Sequence, residues 1–483
     1  MMESFIRKLT TKNIKWIILD SIIIVLSLFQ TTLLIINACG DVVNLGNIIF
    51  YINYILIACV IASLVIRGRT EHFLAIIFFL CFFIFLMGQK LFMAEKNVFL
   101  TFARTELNHA EYNVFLSIIF IGIVVTYFAY LFACGNNSKR NNIVNIKDYS
   151  SYYPIIRLFY LITLPCAVYM QLKIVIVRSA LSYTDSYLTN VDVPAIIKIG
   201  YYLFSSISLL YLALKPPKKD VYFIIAVLLL IEGGVQLLQG RRALFATTLL
   251  FIVWYLLKYY KVEKINLKIV LGVILGGVLL VVLFYFVEMQ RSNVETSTTQ
   301  ITDIIQNFMI STGGSDSVIG NTIAHSKLFP KAGFWYLVDP IVNNPVFNII
   351  SGKGGISQGN EYLESFNSFS HWISYLTESS LYYSGHGMGS CYLAEVYLAF
   401  KLPGVFVISI VIGIVIHIIS KNDFENYIFL TTIEFVLVKN LFTLPRSGLF
   451  GWFGDFTYLV VTFCIVYLFH KIYSAKDGLR RKR

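Results

Sequence analysis

The sequence predicts an all-α polytopic integral membrane protein of about twelve transmembrane helices, with one large outer loop between the ninth and tenth. Three observations predict it. Of 483 residues, 57% are hydrophobic and only 14% charged, against roughly 25% charged in a soluble domain. The mean hydropathy is +0.72. The apolar residues also form long continuous runs, not the short alternating segments of a β-barrel. A water-soluble enzyme, a disordered chain and a nucleic-acid-binding domain are thereby excluded.

A helical span needs about 20 apolar residues. By that measure the predicted spans are Ile17 to Asn37, Asn47 to Ile66, Phe73 to Met93, Val114 to Cys134, Ile155 to Val177 and Pro194 to Leu214. Next come Val221 to Leu238, Ala243 to Tyr260, Leu267 to Phe286, Gly404 to Ile419, Tyr427 to Leu444 and Phe456 to Phe469. The chain divides into residues 1–288 with spans one to nine, 289–389 as the outer loop, and 390–483 with spans ten to twelve and a basic tail.

The net charge of +12 is an orientation signal, because the basic residues sit in short loops between spans. With the N-terminus inside, the inner segments hold Arg67, Arg69, Lys139, Arg140, Lys147, Lys215, Lys218, Lys219, Lys258, Lys261, Lys264 and Lys268. The tail adds Arg480, Arg481, Lys482 and Arg483. Positive charge stays cytoplasmic, so both termini are expected inside. The basic start runs into a full-length span without a small-residue cleavage site, so no cleavable signal peptide is expected.

The exceptions carry the chemistry. Arg241 and Arg242 lie in the outer turn after span seven, Arg291 just past span nine, and Arg446 in the outer turn between the last two spans. Lys439 falls in the outer half of span eleven and Lys401 just before span ten. Each alone reads as a cation snorkelling to headgroup phosphates. Together at one depth they suggest an anion site. Glu232, in the outer half of span seven, needs a partner. Arg241 or Arg242 supplies one if the turn folds back.

A loop as long as that from Met289 to about Gly389 is usually functional. Ile301, Ile304, Ile305, Phe308 and Met309 have helical spacing and suggest an amphipathic helix on the membrane. Phe334, Trp335 and Tyr336 read as an interfacial belt. Asp339-Pro340 and Asn344-Pro345 are turn signals. Gly352-Lys353-Gly354-Gly355 lacks the spacing of a phosphate loop and reads as a turn. The polar chemistry lies in Gln358-Gly359-Asn360-Glu361, in Ser368-Phe369-Ser370-His371-Trp372, and in Gly385-His386-Gly387-Met388-Gly389-Ser390, followed by Glu395. The alternating glycines permit a tight turn that offers N–H groups to an anion, or a plain helix-entry turn. The cysteines lie mostly in apolar runs and act as small apolar residues. Cys39 and Cys391 would both be outside, where a disulfide is feasible. No acidic or His/Cys cluster has metal spacing, and no cofactor is expected.

The stretch Gly385-His386-Gly387-Met388-Gly389-Ser390-Cys391-Tyr392-Leu393-Ala394-Glu395 resembles a signature of bacterial Wzy-type O-antigen and capsular polysaccharide repeat-unit polymerases. Their pattern is Gly-x-Gly-x-Gly-Ser-Ser-Tyr-Ile-Ala-Glu, then Phe-Gly. Gly359-Asn360, Ile373-Ser374-Tyr375 and Gly240-Arg241-Arg242 are similar to further features. Here the second serine is Cys391, and Lys401 follows Phe400 where glycine is usual. The paired Arg-x10-Gly motif of some members does not occur. O-antigen ligases look similar in plan.

The resemblance implies a GT-C-like membrane glycosyltransferase in the bacterial cytoplasmic (inner) membrane. It would join undecaprenyl-pyrophosphate-linked oligosaccharides at the outer face, without metal, beside a flippase and a chain-length regulator of the same pathway. Arg241, Arg242, Arg291 and Arg446, with Lys439 weaker, would hold the pyrophosphate, since guanidinium binds phosphate bidentately. His371 is the preferred base, although it also reads as an interfacial histidine beside Trp372. His386 and Glu361 compete. Glu395 would orient the base or pair with Lys401. Gly387, Gly389 and Ser390 would contact substrate. A lipid-linked oligosaccharide flippase would instead show polar residues along whole spans and two similar halves. A scaffold would need no outer arginines.

Overall fold

A computed structural model describes residues 2–40, 43–68, 70–92, 101–102, 105–135, 149–179, 191–238, 242–260, 301–351, 356, 358–421 and 427–480. The chain runs as α1 (Met2–Cys39), α2 (Val43–Arg67), α3 (Phe73–Leu86), α4 (Gly88–Phe92), α5 (His109–Gly135), α6 (Tyr153–Ser179) and α7 (Ala195–Ala213). It continues with α8 (Lys218–Leu228), a π segment (Leu229–Gly234), α9 (Val235–Leu238) and α10 (Arg242–Tyr259). Seven short helices follow: α11 (Ile301–Thr312), α12 (Asp316–His325), α13 (Gly333–Val342), α14 (Pro345–Ile350), α15 (Asn360–Ser365), α16 (Phe369–Thr377) and α17 (Ser379–Tyr383). The last three are α18 (Tyr392–Lys421), α19 (Ile428–Leu441) and α20 (Phe453–Arg480). Thr101–Phe102 and Thr105–Glu106 form a two-residue antiparallel ladder.

Among the described residues, seven helices are long and apolar enough to cross a membrane: parts of α1, α2, α5, α6, α7, α18 and α20. Helices α3 and α10 are shorter but apolar. Helix is the form expected, because it satisfies every backbone polar group within one segment. The predicted ninth span, Leu267 to Phe286, lies outside the described residues.

The helices bind one another through small residues and polar pairs. Gly413 on α18 meets α5 so closely that a Cβ would lie 2.5 Å from the Thr126 carbonyl oxygen. Gln30 donates to Asn53 at 2.9 Å between α1 and α2. Asp20 joins Arg67, Ser63 and Tyr127. Lys258 pairs with Glu434. A continuous core of buried apolar side chains runs from α1 to α20.

The segment 301–391 folds over one end of this bundle, here called the loop face. Its base is α11 and α12, where Met309 packs on Gly88. Lys90 and Asp316 form an ion pair there at 3.9 Å, with both side chains buried. Burial pushes Asp316 up to about 6 against the pull of Lys90, and Lys90 down to about 8.

Several expectations are corrected. The predicted third span breaks at Met87, and Gly88–Phe92 forms a separate helix against Met309. The predicted seventh span contains the π segment. The predicted tenth span begins well before Gly404, at Tyr392, because Tyr392 to Leu398 are buried in protein rather than looped out. Asp339-Pro340 lies inside α13, not in a turn. There the buried Asp339 accepts from Asn343 at 2.7 Å and from the Asn367 N–H at 2.8 Å. Asn344-Pro345 does open a helix, with Asn344 Oδ1 accepting the N–H of Val346 and of Phe347. Phe334 and Trp335 are about half exposed, but Tyr336 is buried against Phe329. Cys39 is exposed, Cys391 is buried, and both are free thiols. Gly352-Lys353-Gly354-Gly355 lies outside the described residues.

Candidate active site at the loop face

The glycine-rich stretch builds a turn that the chain uses twice. Gly385 and Gly389 have φ of 88° and 81°, values that suit glycine. The N–H groups of Gly385 and His386 donate to the carbonyls of Tyr382 and Leu381 at 3.1 and 3.0 Å. The Met388 N–H donates to Ser374 Oγ at 2.9 Å. Those three N–H groups are therefore taken within the fold and do not serve an anion.

The turn closes one wall of a cavity of about 220 Å³. Ser374, Glu378, Tyr382, His386 and Gly387 are among its lining residues. Gln358 fixes the rim, its Nε2 donating to the carbonyls of Tyr382 at 2.6 Å and His386 at 2.9 Å. His386 Nδ1 is 3.1 Å from Ser384 Oγ. His371 stands one residue behind this wall. Its Nδ1 is 3.2 Å from the Tyr382 hydroxyl, and its ring stacks on Tyr362 at 3.9 Å. Burial pushes the His371 imidazole down to about 4, so it is neutral at pH 7. Glu361 is exposed in the first turn of α15, next to Asn360, which bonds Tyr383.

Beyond the turn, Ser390 and Glu395 meet. Ser390 Oγ donates to Glu395 Oε1 at 2.6 Å, and the Leu449 N–H donates to Oε2 at 2.9 Å. The carboxyl, 3% exposed, thereby ties the glycine turn to the connection between α19 and α20. Lys401, the alternative partner for Glu395, lies 4.8 Å over the Tyr397 ring.

Of the predicted anion-binding cations, Arg241 and Arg291 lie outside the described residues, and Arg242 heads α10 with no described side chain. Arg446 is exposed, in the turn just before Ser447 and Gly448, with its guanidinium 5.9 Å from the Phe85 ring centre. Lys439 sits in a different place. It bonds Glu232 on the π segment at 2.5 Å. Glu232 thus has a partner across the bundle, while Arg241 lies outside the described residues. Asn440, beside Lys439, donates to Asp455 at 3.0 Å. π segments occur often at functional sites.

His386 and Gly387 line one cavity, and His371 stands behind Tyr382, which also lines it. Ser390, Glu395 and Arg446 belong to the adjoining turns. Glu361 marks the surface nearby, and Lys439 belongs to a separate pair. Sequence reading passed over Tyr382, Glu378, Gly448 and Lys90. Lys90 was legible by the reasoning applied to the arginines, since it too is a cation at the end of a span opposite the basic loops. Among the described residues, no three His, Cys, Asp or Glu side chains converge as metal ligands do.

The described residues define a polytopic α-helical membrane protein with a folded loop over one end that carries the glycine-rich turn and its cavity. The sequence model of the O-antigen polysaccharide polymerase Wzy family matches residues 19–477. The chain belongs to that family. Comparison with curated proteins and comparison with solved structures both gave no match.

Proposed function

We propose that this protein polymerises polyprenyl-pyrophosphate-linked oligosaccharide repeat units into O-antigen or capsular polysaccharide at the outer face of the bacterial cytoplasmic membrane, as a metal-independent glycosyltransferase. The observation that carries the reading is the family match across residues 19–477. Support comes from the folded turn that its signature stretch forms beside a cavity.

In this reading the plan is GT-C-like, with about twelve spans, both termini cytoplasmic by the distribution of Lys and Arg, and the loop face outward. Residues 1–288, 289–389 and 390–483 remain the working divisions. A hydroxyl of the incoming unit attacks the anomeric carbon of the growing glycan, and the lipid pyrophosphate departs. His371, neutral at pH 7, accepts the hydroxyl proton, with Tyr382 between it and the cavity. His386, Gly387 and Gly389 frame the acceptor, and Glu361 contacts it at the rim. Glu395 and Ser390 hold the turn in place. Arg241, Arg242, Arg291 and Arg446 neutralise the departing pyrophosphate, which in a partly desolvated site lowers the barrier by several kcal/mol. Lys439 steadies the neighbouring helices through Glu232. A flippase and a chain-length regulator are the expected companions.

Glycan profiling of the host carrying Arg241→Ala, Arg291→Ala and His371→Ala, each checked for membrane expression, tests this. Single repeat units that reach the outer face without polymer ladders are the expected result. Units trapped inside would indicate a flippase, and polymer made but left unattached would indicate a ligase. A carboxy-terminal fluorescent fusion should fluoresce, as a cytoplasmic terminus requires.

A further inference from the structure

The base of the folded loop meets the bundle through glycine. Gly313 and Gly314 join α11 to α12 and lie against Gln89 on α4. A Cβ on Gly313 would stand 2.2 Å from the Gln89 backbone nitrogen, and one on Gly88 would stand 2.8 Å from the Met309 methyl carbon. A Cβ on Gly314 would meet the end of the Gln89 side chain at 3.3 Å. Such a surface permits close approach but carries no knob to fix its register, and methionine adapts to what it meets. Either glycine could lie on the Gln89 backbone, so shape alone leaves two seatings one residue apart. One charged pair crosses the same joint. Lys90 Nζ stands 3.9 Å from Asp316 Oδ2, with 2% and 1% of the two side chains exposed. Burial pushes Asp316 up to about 6 and Lys90 down to about 8, each towards its neutral form. Desolvation therefore outweighs attraction at both partners, and the pair is no source of stability. Helix α12 also packs against α5, α16 and α18, and α16 carries His371.

We propose that Lys90 and Asp316 are positioning residues: their pairing selects the one seating of the loop base that sets α12, and through it α16 and His371, where the reaction needs them. The proposal rests on the polymerase reading above. A shift by one residue would place Gly314 on the Gln89 backbone and move Asp316 by about 3.8 Å, as much as the whole separation of the pair. The present seating brings the two buried charges together, and the shifted one strands both. A buried polar group that fixes register at a cost in stability is known from helix–helix interfaces. Misplacing a catalytic group by about one ångström can cost about a hundredfold in rate. A shift of this size would therefore silence the site while the protein stays folded.

The test compares the full-length protein with Lys90→Met/Asp316→Leu, which replaces the pair by apolar side chains, and with the reversed pair Lys90→Asp/Asp316→Lys. Three quantities are read. They are the melting temperature in detergent, the distance between spin labels at the exposed Ile48 on α2 and Leu328 just after α12, and the polymer made by the host. The apolar variant is expected to melt no lower than the wild type, to show a second label distance, and to cut polymer by about tenfold or more. The reversed pair should restore the single distance and most of the polymer. A single distance in the apolar variant overturns the proposal whatever the polymer yield. A lower melting temperature or a failure to fold overturns it as well, since the pair would then be a plain stabiliser. Two distances with full polymer overturn the positioning role while the polymerase reading stands. If the wild type itself supports no polymer, the polymerase reading fails, and the label distances still decide whether the pair fixes the register.

Discussion

Glu395 stands directly behind Gly448: a methyl group there would lie 2.5 Å from Oε1 and 3.0 Å from Oε2. That approach lets one carboxyl accept both Ser390 and the Leu449 N–H. Gly448→Ala should push the α19–α20 connection off the carboxyl and cost about 1–3 kcal/mol. Glu395→Ala should cost a similar amount, about 1–3 kcal/mol, by stranding buried donors. Thermal melting in detergent together with glycan profiling checks both. Normal melting and full polymer in Gly448→Ala would contradict the clamp.

The Lys439–Glu232 pair joins α19 to the π segment at 2.5 Å. Removing one partner strands a charge within the bundle, so Lys439→Met or Glu232→Gln alone should destabilise by up to about 3 kcal/mol. The double variant should be more stable than the sum of the singles requires. Additive melting shifts would mean that the two side chains act independently.

Burial holds the His371 imidazole down at about 4, below its ordinary value of 6.5. A folded state that binds the proton less tightly than the unfolded one has its full stability above pH 6.5 and loses it as pH falls from there towards 4. Proteolytic sensitivity of the loop should therefore rise across that window, and His371→Phe should flatten the rise. If His371 is the base, the acid limb of the activity profile lies near pH 4 and not near 6.5.

Lys401 occupies φ 57°, ψ −157° within α18, a region that disfavours any residue with a Cβ. The resemblance places glycine there in related polymerases. Lys401→Gly should therefore stabilise the protein by about 1 kcal/mol or more, even with its contact over Tyr397 lost. A lower melting temperature would show that this contact outweighs the backbone cost.

How much of this was legible depends on whether the cause was local. Seven of the expected spans correspond to described helices long and apolar enough to cross a membrane, because each apolar run specifies its own helix, as α2 and α5 show. The start of α18 at Tyr392 was not legible, since Tyr392 and Glu395 look like loop residues until their protein neighbours are known. The pairing of Glu232 with Lys439 was not legible, because sequence offers only near neighbours and Lys439 lies some two hundred residues away. The same limit hid Gly448, whose meaning lies in the carboxyl behind it. His386 and Gly387 share one stretch and folding sets both on one cavity, while His371, from a separate stretch, stands behind Tyr382. Arg241 and Arg291 lie outside the described residues.

The π segment Leu229–Gly234 also sets a phase. A π turn holds an extra residue, so the part of the helix before it is rotated relative to the part after it. Deleting Leu230, which is 66% exposed, would return the segment to ordinary helical winding. The rotation per residue is about 100°. The two halves would then be misaligned by that angle, and the buried Leu228 before the segment and Gln236 after it could no longer both face the protein. A one-residue deletion at a site that touches little should thus do more harm than most substitutions there, because what it removes is an angle and not a contact.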